Sequence, residues 1–443
     1  MNWRPISSAR WWMVSLLAIL SFAAIAPSTL SAQAVERTAI RIDDPPVSGS
    51  LLSIDGELNI SLRQGDRAIV TSSLDLVRWG ERRDRLPTSL VVLNDQSELV
   101  ADVLRLEANQ LLLGDSAGLD RSFWEQTLLE KRDVRAIFFR LPLERSTRAQ
   151  LRKQATDHSA PSDLILLSGG ESIAGTVIKL PNLTAEASQT PASDVVQVQL
   201  TADARQIDIP ASKVLAIVFA SRGKLPVTDV VEEQKRAWVS LIDGSLLNVR
   251  SIENRDGKLN FTLVSGATLS TAGSRSEQVE PTPYSLVEMI ESDSPRILYL
   301  SDQKPILARH IPLLTTVWPT LFNLNAMGQP LRAQGTLFRK GIGVHSASSV
   351  VYEIDRSWKK FEAELALDDS TDGRGSVIFK VLLAGEDGKF QPAFESKIIR
   401  GGEAPTPISI PLENKLRIAL IVDFSDEGDT RDLANWLSAR LVK

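Results

Sequence analysis

The sequence predicts a mostly β protein, with small repeated units of short strands and a closing region of different character. Three observations carry this expectation. Apolar and polar residues alternate in short runs bounded by Asp, Gly, Ser and Asn, the period-two signature of half-buried strands. Helical periodicity is scarce, with its best candidates at residues 122–131 and 231–236. A pattern of strand, tight turn and further strands, ending in a Val-x-x-Ile-x-Phe-like strand, returns along the middle of the chain.

The first element is set apart from the fold. Arg4 and Arg10 precede an apolar run over residues 11–26, and Ala32-Gln33-Ala34 supplies the small-x-small pattern that a signal peptidase reads. The run is short for a bilayer span of ~20 residues. Residues 1–34 therefore read as a cleaved signal peptide rather than an uncleaved anchor. Export to the periplasm or the extracellular space follows, with no membrane span after cleavage. The chain has no cysteine, which excludes a disulfide framework, a thiolate metal site, a cysteine nucleophile and a lipid-anchoring cysteine. An apolar content of 43% is enough for a sizeable core.

The repeated units come next. Leu90-Val-Val-Leu-Asn-Asp-Gln-Ser97 opens a copy that closes with Asp133-Val-Arg-Ala-Ile-Phe-Phe139. Leu164-Ile-Leu-Leu-Ser-Gly-Gly170 opens a second that closes with Lys213-Val-Leu-Ala-Ile-Val-Phe219, and Trp238-Val-Ser-Leu-Ile-Asp-Gly-Ser245 opens a third. The corresponding segments are 89–142, 163–222 and 236–292, with a degenerate copy within 35–88. Five short, bent strands per copy suit a small closed barrel, because closure removes exposed sheet edges. The pattern resembles SH3-like or Sm-like barrels, although other meandering β domains give the same signature. Polar, Pro-containing stretches at 143–162, 181–193 and 270–283 read as linkers.

From about residue 297 to the end at 443 the motifs change. Lys340-Gly-Ile-Gly-Val-His-Ser346 is followed by the Asp368-Asp369 pair, by residues 373–379, and by Arg400-Gly-Gly402. A late block holds Val422, Asp423, Asp426, Gly428, Asp432 and Trp436. In that order and spacing these motifs resemble the NPCBM family of carbohydrate-binding modules. The resemblance implies a galactose-binding-like jelly-roll β-sandwich that recognises sugar through loops at one end. The chain departs from the family's late Asp-His-x-Asp-Trp pattern, with Leu433 and Asn435 in place of the His and the second Asp.

Candidate sugar-binding residues are Asp368, Asp369, Arg374, Arg400, Asp423, Asn435 and Trp436. Sugar hydroxyls need fixed donors and acceptors beside an aromatic face, and strand-end loops carry such groups. The alternative for the Asp and Arg residues is turn formation or surface ion pairing. The alternative for Trp436, and for the lone His345, is a place in the core. Asp426, Asp429 and Asp432 concentrate oxygens in one loop, which suits calcium, against the alternative of a solvated acidic loop. With no cysteine and only His158, His310 and His345, a transition-metal site is disfavoured.

Nucleic acid is not an expected partner, because a net charge of −5 supplies no broad basic face for phosphates. The chain has no phosphate-binding Gly-rich loop, no Gly-x-Ser-x-Gly elbow and no paired metal-ligating histidines. The expected function is that of an exported, non-catalytic protein that binds an envelope or extracellular glycan. The alternative is a structural or protein-interaction component of the cell envelope, and a glycoside hydrolase is the third reading.

Overall fold

The computed structural model describes residues 35–107, 109–114, 123–181, 194–220, 235–273, 283–313, 315–426 and 428–443. The proposed signal peptide, residues 1–34, lies outside them. The protein is mostly β, and residues 34–443 form one compact unit.

The first part contains four five-stranded units. Unit one comprises Arg37–Arg41, Val47–Ile54, Ile60–Gln64, Arg67–Thr71 and Leu76–Gly80. The first four strands pair antiparallel in succession, and the fifth pairs with the first, giving the order fifth-first-second-third-fourth. The third unit, from Asp163–Leu167 to Val214–Val218, and the fourth, from Ala237–Leu241 to Val287–Ser292, repeat that order. The second, from Leu90–Leu93 to Val134–Phe138, differs in that its second strand breaks between Glu98–Leu99 and Asp102–Glu107.

These sheets are not closed into barrels, so the closure expected of SH3-like or Sm-like units is not borne out. Among the described residues no fourth strand pairs with its own fifth. The fifth strands pair with each other across units instead, Trp79 opposite Ile290 and Ile137 opposite Ile217. An edge is covered equally well by a neighbouring strand as by closure. The units then share one core that runs through Leu62, Trp79, Ile137, Ile217, Val239 and Phe261.

A second correction concerns the helices. Residues 122–131 yield a strand, Thr127–Glu130, because Leu128 faces solvent while Leu129 is buried. Residues 231–234 lie outside the described residues, and Lys235 and Arg236 are not helical. Among the described residues the α-helix is Arg145–Asp157, inside the stretch expected to be a linker. Only Leu151 and Ala155 of it are buried, so its apolar periodicity is nearly silent. Good helix formers such as Arg, Ala, Gln and Lys sustain it. At its C-terminal end Arg135 donates to the carbonyls of Ala155 (2.9 Å) and Thr156 (3.1 Å), groups a helix end leaves unpaired.

Residues from 297 onward form a β-sandwich. One sheet runs Leu321–Phe322, Gly341–His345, Leu433–Val442, Lys360–Leu367, Thr406–Pro411, with Ile297–Tyr299 added beside the end of Leu433–Val442. The other runs Leu307–His310, Ser348–Glu353, Arg417–Phe424, Ser376–Ala384, Gln391–Glu395, with Ile399–Arg400 paired to the start of Ser376–Ala384. Inward-facing residues of both sheets share one core, in which Phe379 meets Trp436 edge-on at 4.9 Å. The sandwich also reaches the first part. Its hairpin Leu331–Ala333/Thr336–Phe338 pairs with Arg82–Arg83, and buried Arg78 contacts Glu364 at 3.3 Å.

Candidate functional site

The strand register brings five loops to one end of the sandwich. His345 lies opposite Leu433 and Leu367 opposite Ala434 in one sheet. Ser348 lies opposite both Val422 and His310, Val377 opposite Phe424, and Ser376 opposite Arg400 in the other. The segments 311–320, 346–347, 368–375, 401–405 and 425–432 therefore all leave their strands at that end.

Asp368 organises this end from within. It is fully buried, and its carboxylate accepts from Asn325 Nδ2 (2.9 Å), Asn435 Nδ2 (2.9 Å), the Arg332 N–H (3.0 Å), and the Ser370 N–H and hydroxyl. Asp369 accepts from the N–H groups of Gln334 (2.8 Å) and Gly335 (2.9 Å) and from Arg332 Nε (3.1 Å), fixing the turn of the 331–338 hairpin. These two acids hold loops together, Asp368 from a fully buried position and Asp369 from a partly exposed one. Asn435 is buried on Asp368, and Trp436 is wholly buried in the core. Trp436 follows the alternation of its strand inward, which is the core alternative for that residue.

The glycines of the motifs serve close packing. A Cβ on Gly343 would lie 2.3 Å from the Leu324 carbonyl oxygen, and one on Gly401 would lie 2.2 Å from that of Arg374. The Lys340–Ser346 and Arg400–Gly402 motifs thus press neighbouring backbones together at the loop end.

The other candidates sit at the surface. Arg374 is exposed. Arg400 pairs with Asp426 at 2.6 Å, and Asp423 with Lys380 at 2.9 Å. The calcium expectation is not met by the geometry. Asp426 is engaged by Arg400, and Asp432 is buried and accepts from the Ser376 N–H (2.9 Å). Among the described residues no group of three or more acidic or histidine side chains could hold a metal ion.

An arrangement not assembled from the sequence lies beside these residues. The Trp318 indole stacks parallel on the His345 imidazole, with centroids 4.9 Å apart and planes 4° apart. His310 meets His345 edge-on at 5.8 Å, and its Nδ1 accepts the Trp318 backbone N–H at 3.2 Å. Burial pushes both imidazoles below the ordinary histidine value, the proximity of His310 lowers His345 further, and Asp429 acts on both in the opposite sense. His345 is itself buried, whereas Trp318 is half-buried. One indole face is held by His345 on an anchored strand, beside Asp429 and its loop. A rigid aromatic plane with nearby acceptors is what a sugar ring needs, with its apolar C–H face on the indole and its hydroxyls on polar neighbours. In the sequence, His345 stands within a motif, whereas Trp318 shows only as a Trp-Pro step in an aperiodic segment. Exposed Ile311, Leu313 and Val317 share the Trp318 loop.

Residues 297–442 match the family model of the NPCBM/NEW2 domain. A "Putative endo-alpha-N-acetylgalactosaminidase" of Renibacterium salmoninarum is 26% identical over 182 residues, which is 40% of this chain and 11% of that protein. An "Alpha-1,3-galactosidase B" of Akkermansia muciniphila is 29% identical over 106 residues, 23% of this chain and 13% of that protein. The chain thus spans little more than a tenth of the length of the curated relatives it matches. Among solved structures, the CBM51 of Clostridium perfringens GH95 in complex with methyl-galactose is 20% identical, covering 33% of this chain and 99% of that one, with a TM-score of 0.29.

Proposed function

We propose, from an NPCBM/NEW2 domain at residues 297–442, that the protein is an exported, non-catalytic glycan-binding protein whose sandwich takes sugar at the Trp318 loop end. The observation that carries this reading is the half-buried Trp318 indole, locked face to face on His345 beside Asp429. Its ring is already immobilised, so stacking a sugar on it costs little further order. Exposed Arg374 and the Arg400–Asp426 pair border the same end and supply donors for hydroxyls. The four five-stranded units then act as the platform on which the module stands, and export rests on the signal-peptide pattern of residues 1–34.

Calorimetric titration of the intact chain with methyl-galactose and GlcNAc, followed by larger glycans, tests the reading. Trp318→Ala is expected to weaken binding at least tenfold while leaving thermal stability nearly unchanged. Equal affinity in wild type and Trp318→Ala would remove the site from this loop end. A second reading is supported by exposed Ile311 (57%), Leu313 (56%) and Val317 (68%), an apolar strip that suits a protein partner in the envelope. Full sugar affinity in an Ile311→Ser/Val317→Ser variant separates the glycan reading from that one.

A further inference from the structure

Away from the loop end, a cleft of about 560 Å³ opens between the helix, the second and fourth units and the 331–338 hairpin. Nine arginines and Lys340 line it, against two acids, Asp84 and Glu98. That density of cations stands out in a chain of net charge −5. On the helix, Arg145, Arg148 and Arg152 follow one another at spacings of three and four, which puts them on a single face. Arg145 also occupies the first turn, where the helix end favours an anion over a cation. Nothing in the helix itself accounts for that placement.

The positive charge is only partly answered. Glu98 holds Arg82 (2.7 Å) and Arg152, while Asp84 holds Arg332 (3.0 Å) and, more loosely, Arg145 (3.4 Å). Carboxylates behind the wall engage others: Glu288 takes Arg85, Glu291 takes Arg339, and Asp302 takes Lys340. Arg148 donates to the carbonyls of Pro142 (2.8 Å) and Leu143 (2.6 Å), which carry no charge. Burial pushes its guanidinium below the ordinary value, and Arg145, Arg152 and Arg332 add to this against the pull of Asp84. Arg332 lies deepest, 3% exposed. Its Nε and Nη1 are satisfied by Asp369 and Asp84, but its Nη2 is buried and has no hydrogen-bond partner among the described residues. A buried guanidinium nitrogen without an acceptor is costly, and an anionic group entering the cleft would supply one.

The cleft is not purely ionic. Trp238, Met289 and Phe338 form an apolar wall, with the Arg339 guanidinium 4.8 Å over the Trp238 ring. Guanidinium forks match the planar oxygens of carboxylate and sulfate groups, and the apolar wall matches the C–H face of a sugar ring. The volume suits an oligosaccharide of a few residues.

We infer that this cleft is a second binding site, for an oligosaccharide bearing carboxylate or sulfate groups, with Arg145, Arg148 and Arg332 receiving the anionic groups. It shares no residue with the Trp318, His345 and His310 cluster, and it stands whether or not that cluster binds sugar. Calorimetric titration of the intact chain with a heparin-derived tetrasaccharide and with tetragalacturonate tests it. Saturable binding to at least one of them is expected, weakening as salt rises. Arg145→Gln/Arg148→Gln leaves the Glu98 pairs and the Asp84–Arg332 pair in place, and is expected to lower affinity at least tenfold. Trp318→Ala is expected to leave this binding unchanged. No binding of either tetrasaccharide, undiminished affinity in the double variant, or equally tight binding of an acidic peptide of the same charge would each overturn the assignment.

Discussion

Asp368 illustrates how one buried side chain holds a cluster of loops together. Its buried carboxylate gathers donors from Asn325, Asn435, Arg332 and Ser370, which belong to four separate stretches of chain. Replacing Asp368 with Ala strands those donors in the interior, where each unpaired group costs about 1–3 kcal/mol. The expected loss is at least ~3 kcal/mol in urea unfolding. A loss below ~1 kcal/mol would mean that the hub carries no weight. At this scale the sequence was legible in one respect and opaque in another. The Asp368-Asp369 pair, the glycines and Asn435 do mark the loop end, but a residue that builds a loop and a residue that grips a ligand leave the same trace in a motif. Burial separates them, and burial depends on the register of distant strands. Trp318 left still less trace, because a lone aromatic in a segment without periodicity has no pattern to stand out from.

At the scale of elements, alternation located strands well, since period two is a local property of the pleat. The closing strands Val134–Phe138 and Val214–Val218 fall within the apolar runs singled out for them. Barrel closure was not legible, because the partner of an edge strand lies in another unit and pairing across units is non-local. Nor was the helix Arg145–Asp157, whose two buried residues are too few to form a stripe. What docks it is partly ionic. Burial alone would raise the Glu98 carboxyl, but Arg152 and Arg82 outweigh burial and hold it at about 2. A carboxyl depressed on folding stabilises the protein above its unfolded value of 4.5 and loses that contribution as pH falls from 4.5 towards 2. Glu98→Gln, which leaves two arginines facing one neutral amide, is expected to cost on the order of 3 kcal/mol at pH 7. The gap between wild type and variant should narrow across that acid window when unfolding is followed by circular dichroism. A gap that stays constant from pH 7 to pH 2 would contradict the assignment.

For the molecule as a whole, the sandwich and the four units meet through paired charges and a shared ladder. Arg78 is buried at this junction. Desolvation would lower its guanidinium, yet Glu364, Glu291 and Glu81 together raise it. A double-mutant cycle of Arg78→Met with Glu364→Gln is expected to return a coupling of about 1–3 kcal/mol, as for partners in one buried network. A coupling near zero would mean that the two parts stand side by side without energetic connection. Sequence motifs distinguish the two regions by character, but contacts such as Arg82 with Leu337 bridge positions too far apart to leave a periodic signal.

A sugar-binding surface at the Trp318 end of the sandwich, as proposed above, is open to direct test. The most direct test is a broad glycan array probed with the intact chain and, in parallel, with Trp318→Ala. The wild type is expected to bind a defined set of glycans saturably, and the variant to lose that binding while melting at nearly the same temperature. Silence of the folded wild-type chain across the array, or the same glycans bound by Trp318→Ala, would contradict it.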